Sequence, residues 1–232
     1  MLLSILSNFS KDPRMAIISI LLIIPSLLIA LTVHEYCHGR MALALGDKTA
    51  LQYGRLSLNP IHHIDPIGAL MLLLFGFGFA KPVPVNMRNV TRVNYKLGTI
   101  LISLAGPFSN FLLALLGVFG YMLTFTIALN TGNFSNFMII CIQFFQYFAY
   151  MNIGLGIFNL IPIPPLDGSR VLTIFLPAKA QIWFHKYEQI IQLIIFVLLF
   201  SNVLDGLLYT SREWIFTAFC KLISMLPFII SI

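Results

Sequence analysis

Long apolar runs divided by short polar stretches set out the plan of this chain. The first run opens at Met15, is apolar to Val33 and continues to about Leu45. It exceeds the roughly 20 residues that cross a bilayer, so it predicts one full helix, with Gly46-Asp47 as its C-terminal stop. Met1 to Phe9 is too short to span and reads as interfacial. Residues 47–66 are mixed and turn-rich (Gly54, Asn59-Pro60, Asp65-Pro66) and predict a short hairpin lying against the membrane face. Ile67 to Ala80 is apolar, glycine-rich and short, which suggests a re-entrant segment, and the prolines of Lys81-Pro82-Val83-Pro84-Val85-Asn86 impose extended backbone. A second span runs from about Thr99 to Leu129 and a third from about Phe137 to Phe158, joined by a polar turn at 130–136. Asn159 to Gly168 then carries three prolines and excludes regular helix. A short helix over Ser169–Leu176 follows, then a span over Tyr187–Leu208 and a last apolar segment, Trp214 to Ile232, in which Lys221 favours an interfacial position.

Composition agrees with these runs. The chain has 232 residues, 59% of them hydrophobic and only 9% charged, where a soluble domain carries about 25% charged residues. The fold class is therefore an all-α integral membrane protein: a polytopic helical bundle of about 4–6 membrane segments, with a short hairpin or re-entrant extended region after the first span. Residues 1–232 read as one membrane-embedded domain, with a core at about 15–185 and C-terminal helices at about 187–232. Cys37, Cys141 and Cys220 are scattered and mostly apolar in setting, so they read as small buried hydrophobes rather than a disulfide framework.

The net charge of +6 changes the picture only through its placement. Basic residues form no dense cluster with stacking aromatics, so nucleic acid is not an expected partner. Arg40, Lys48, Arg55, Lys81, Arg88, Arg92 and Lys96 lie between the first two clear spans, the 130–136 turn has none, and Arg170, Lys179 and Lys186 follow the third. The positive-inside rule then puts regions 40–96 and 159–187 on the cytoplasmic face, against the weaker contrary signal of Lys11 and Arg14.

Candidate chemistry begins at His34-Glu35-Tyr36-Cys37-His38, at the end of the first apolar run. Residues four apart on a helix share a face, one turn of about 5.4 Å apart, so two imidazoles can grip one Zn2+ ion with Glu35 beside them as general base. Ionisable groups near hydrocarbon cost several kcal/mol and usually mark function. A catalytic zinc takes a third protein ligand, for which Asp167, Asp65, His62, His63, Asp205 and Glu188 are candidates. Asp167 leads, since rigid non-helical backbone at membrane depth must be buried or line a wet cavity; its local alternative is a helix N-cap. His62 and His63 read as loop structure, Gly106-Pro107 as close helix packing and Asn110 as an interhelical hydrogen bond.

His34-Glu35-Tyr36-Cys37-His38-Gly39 together with Asn159-Leu160-Ile161-Pro162-Ile163-Pro164-Pro165-Leu166-Asp167-Gly168 resembles the paired signatures of the site-2 protease family of intramembrane zinc metalloproteases. Asn59-Pro60 through Gly68, Ala80 through Val85 and Gly106-Pro107-Phe108-Ser109-Asn110 look like its short, single-domain branch without PDZ or CBS modules. The resemblance implies a zinc endopeptidase cutting in or near transmembrane segments of single-span membrane proteins, whether in regulated proteolysis or in clearance of signal-peptide remnants. It implies metal ligands His34, His38 and Asp167, catalytic Glu35, and Asn159 as an oxyanion donor whose alternative is a helix cap. A site in a multi-pass protein of the cell membrane, toward its cytoplasmic face, follows. The extended Lys81–Asn86 stretch is a candidate edge for an unwound substrate, or else a rigid loop. Two other classes remain to be weighed: a transporter or channel with a His/Asp-lined path, and a silent scaffold that binds membrane helices.

Overall fold

The computed structural model describes residues 13–66, 68, 70, 80–201, 203 and 205–229. Helix α1 covers Pro13–Ala44, α2 is one turn at Thr49–Gln52, and α3 covers Tyr95–Thr131. They are followed by α4 (Asn136–Leu160), α5 (Asp167–Phe175), α6 (Ala178–Lys186), α7 (Glu188–Phe200) and α8 (Asp205–Ile223). No β-strand occurs among the described residues. Helices α1, α3 and α4 are long and apolar enough to cross a membrane. The predicted segments Met1–Phe9 and Ile67–Ala80 lie largely outside the described residues.

Local chemistry explains most boundaries. Gly46 adopts φ +113, a conformation that L side chains rarely take, and so ends α1. Asn94 caps α3 by accepting from Leu97 N, and Gly132 closes it in the left-handed region at φ 63. Ser135 caps α4 by accepting from Met138 N. Pro107 is tolerated inside α3, where the Ser109 hydroxyl donates to Gly106 O at 2.6 Å.

Four expectations are corrected. The hairpin over 47–66 is absent: α2 and a 3-10 turn at Pro60–His62 stand there instead. The turn is set by Asn59, whose side chain accepts from Ile61 N, followed by Pro60 at the first helical position. The short helix after the prolines starts at Asp167, not Ser169, with Leu166 as its N-cap. The span expected over Tyr187–Leu208 is broken into α7 and α8, because polar Ser201-Asn202 and Asp205-Gly206 interrupt it. Helix α7, at 13 residues, is about 20 Å long and falls short of a 30 Å hydrocarbon layer on its own. Trp214 lies inside α8 rather than opening a new segment.

Pairings along the helices give their directions. Ser19 on α1 meets Tyr147 on α4 at 3.0 Å, while Leu27 and Leu31 pack with Met151 and Leu155. Helices α1 and α4 therefore run parallel. On α3, Gly120 lies against Phe145 and Gly117 against Ala149, while Asn110 bonds Asn152, so α3 is antiparallel to both. The C-terminal ends of α1 and α4 and the N-terminal end of α3 gather at one end of the bundle. The Pro-rich loop returns there, and α5 packs against α3 and α4. Gly168 sits so close under Leu160 O and Ile161 O that a Cβ there would collide with backbone.

Candidate metal centre

The chain folds His34, His38 and Asp167 into one cluster, 133 residues of sequence notwithstanding (167 − 34). His34 Nε2 and His38 Nε2 are 3.0 Å apart, and Asp167 Oδ2 lies 3.2 Å from each. These atoms form a nearly equilateral triangle. Both rings are buried, 4% and 8% exposed, so bulk water screens the arrangement little. Asp167 projects from the first residue of α5 onto the rings; the N-cap position belongs to Leu166, which removes the N-cap alternative.

The far sides of both rings are occupied. His38 Nδ1 is 2.7 Å from Ile102 O, and His34 Nδ1 is 2.6 Å from Asn110 Oδ1. A backbone carbonyl can only accept, so His38 must carry its proton on Nδ1. With both Nδ1 atoms donating, two Nε2 lone pairs and a carboxylate oxygen converge on one point. Such a convergence is repulsive unless a cation sits within it. Bond lengths of about 2.0–2.2 Å in a tetrahedral zinc site put donors about 3.3–3.6 Å apart, so the edges of 3.0 and 3.2 Å seen here need open by only a few tenths of an ångström. The donor set fits zinc. Gly106 makes the convergence possible, since a Cβ there would stand 2.7 Å from His34 Nε2.

Glu35, next in sequence to His34, is half-buried, and its Oε2 accepts the backbone N–H of Val83 at 2.9 Å. The segment that carries Val83 is pinned at several points. Lys81 N donates to His63 O at 2.9 Å, Arg55 donates to Lys81 O and Pro82 O, and Asn86 N donates to Asp47 Oδ2 at 2.7 Å. Asp47 is fully buried. Burial pushes its carboxyl up, but bonds from the Thr49 hydroxyl, the Asn86 and Thr49 N–H groups and the Asn89 amide outweigh that and hold it below its usual value. The buried carboxylate thus latches the loop after α1 to the 86–89 turn.

The other ligand candidates do not join the cluster. His62 is exposed, His63 is buried and donates from Nε2 to Ser57 O, Asp65 accepts from Gly68 N, and Glu188 faces His185 on an exposed surface. The side chain of Asp205 lies outside the described residues. Asn159 donates its side-chain amide to Leu155 O at 3.0 Å, one turn back on its own helix. Sequence reasoning did not identify Ile102 O or Val83 N–H, because backbone groups leave no residue signature. It read Gly106 as packing without seeing that the packing is against the two imidazoles.

The family model for peptidase family M50 matches residues 22–202. The chain belongs to this family of site-2 proteases. It is 36% identical over 204 residues to the candidate zinc metalloprotease YwhC of Bacillus subtilis, covering 84% of this chain and 89% of that one. It is 27% identical over 201 residues to the candidate zinc metalloproteases named Rip2 of Mycolicibacterium smegmatis and of Mycobacterium tuberculosis, covering 84% of this chain and 73% of each. No solved structure matches. As an M50 protein the chain is an integral membrane zinc metalloendopeptidase, and neither the ion path nor the silent scaffold is favoured.

Proposed function

We propose that His34, His38 and Asp167 hold the zinc of this M50 protease and that Glu35 is its general base. The observation that carries the assignment is the triangle of Nε2, Nε2 and Oδ2 atoms with both Nδ1 positions already hydrogen-bonded. His34, His38 and Asp167 would hold a zinc ion, which when bound would supply an acidified water and an electrophile for the scissile carbonyl. Glu35 receives the proton of the attacking water and returns it to the leaving amide nitrogen. Its Oε2 is fixed by Val83 N–H, which leaves Oε1 for the proton. Asn159 has a second amide N–H beyond the one given to Leu155 O, and this N–H stabilises the oxyanion that develops.

The substrates are single-span membrane proteins cut in or near their membrane segment. A helical segment has satisfied backbone groups and must unwind to be cut. The Lys81–Asn86 stretch is the extended segment nearest Glu35 and the candidate edge for such an unwound chain. Pro82 and Pro84 lack N–H groups, and the N–H groups of Lys81 and Val83 already go to His63 O and Glu35 Oε2, so a substrate would pair there mainly through backbone carbonyls and Val85. The basic loops that flank the centre support a cytoplasmic orientation for it.

The test is Glu35→Gln in the full chain, assayed in detergent with zinc against model single-span substrates. Turnover should fall about 10²–10⁴-fold, the size of a general acid–base contribution, while zinc content is unchanged. Retained cleavage would refute the base.

A further inference from the structure

Asn110 and Asn152 are both completely buried among apolar helices. Bare amides in such a setting are costly unless every group is paired. Here they form a directed chain. Asn152 Nδ2 donates to Phe148 O at 2.9 Å, and its Oδ1 accepts from Asn110 Nδ2 at 3.0 Å. Asn110 Nδ2 also donates to Ala30 O at 3.2 Å, and its Oδ1 faces His34 Nδ1 at 2.6 Å.

The two histidines differ in one respect. Ile102 O can only accept, so it settles the tautomer of His38 by itself. His34 faces a side-chain amide, which could present either oxygen or nitrogen. Were Asn110 turned over, its N–H would confront His34 Nδ1 and force that atom to accept. The ring proton would then move to Nε2, and an Nε2–H cannot ligate a metal. What prevents the turn is the pair of acceptors on the other side of Asn110. Ala30 O accepts by its nature, and Asn152 Oδ1 accepts because Phe148 O already fixes that amide's direction.

We propose that Asn152, acting through Asn110, holds His34 in the tautomer that offers an Nε2 lone pair to the metal. Both asparagines are positioning residues for the zinc centre, and helix α4 takes part in it without supplying a ligand. The proposal rests on the assignment of His34 as a zinc ligand. Interhelical hydrogen bonds inside membranes contribute little on average, so adhesion between helices alone is a weak reason to bury two amides.

The experiment measures zinc affinity of the purified full chain by competition with a chromophoric chelator, on protein whose circular dichroism matches wild type. Asn152→Leu and Asn152→Ala are both made, so that one folded variant suffices. Each should weaken zinc binding by up to about 10–100-fold, the full range being that for loss of a partner directly behind a ligating histidine, since Ala30 O still holds Asn110 in part. Asn152→Asp still accepts from Asn110 and should stay close to wild type. The decisive arm is Asn110→Asp combined with Asn152→Leu: a carboxylate presents oxygen to His34 whichever way it turns, so zinc affinity should be recovered. Zinc binding unchanged in the folded Leu or Ala variant overturns the proposal. So does a double variant weaker than the single one, the result expected of simple adhesion between helices. A wild-type chain that takes up no zinc removes the metal assignment, and the proposal with it.

Discussion

Val83 N–H and Glu35 Oε2 are joined by a 2.9 Å hydrogen bond that ties an extended loop to the second residue of the His-Glu-x-x-His turn. A bond to a carboxylate from a backbone donor is worth about 1.5–3 kcal/mol. Val83→Pro deletes the donor while keeping the backbone extended. Turnover should drop by about tenfold or more, as the carboxylate loses its fixed direction. Zinc content, measured by mass spectrometry of the metal, should not change; joint loss of both would show that the loop supports the ligands instead.

Gly106 marks how tightly α3 is drawn against the imidazoles. In Gly106→Ala the new methyl would stand 2.6 Å from His34 Cε1 and 2.7 Å from His34 Nε2. The two rings must separate, and the donor triangle opens. Zinc retained after dialysis should fall well below one per chain, and cleavage should fall with it. A variant that keeps full zinc would mean the rings have room the geometry denies them.

Asn159→Ala separates the two roles of that amide. Loss of an oxyanion donor costs about 10²–10³ in kcat with little change in KM. Loss of only the bond to Leu155 O, on an accessible helix end, would leave kcat within a few-fold. The larger effect is expected in steady-state kinetics on a single-span substrate.

Asp47 carries a pH dependence outside the spans. Its folded-state pKa lies below its usual value of 3.8, since hydrogen bonds outweigh burial. A depressed carboxylate adds stability that is complete above the unfolded value and is lost as pH falls through the folded one. Asp47→Asn should therefore unfold at lower temperature than wild type near pH 7. The gap should narrow in acid, below the usual carboxylate range. Equal gaps at neutral and acid pH would show that the latch does not depend on the charge.

The parts legible in the sequence are those that rest on short-range periodicity or on backbone restriction. His34 and His38 share a face because of their spacing alone, and the spans α1, α3 and α4 follow from continuous apolar length. Asp167 was marked by the prolines before it, and the structure brings its carboxylate to 3.2 Å from both rings. Asn110 was legible as a source of an interhelical hydrogen bond, and its amide donates two, but its partners were not legible. Nothing local connects Ala30, Asn110 and Asn152, which meet only where α1, α3 and α4 converge. The 47–66 region misled because its turn residues serve equally for a hairpin and for helical turns. The side chain of Asp47, accepting from Thr49 N at 3.0 Å, decides between them.

Asp167 reaches the rings only by way of α4 and the proline-rich return beneath Leu160. During synthesis the chain therefore carries both histidines into the membrane long before the third ligand is made. On the proposed ligand set, a half-built protein holding α1 and α3 alone would lack a complete metal cage. Hydrolytic power would then wait on α4 and the proline-rich return, which ties activity to the folding of the bundle rather than to its first two long helices.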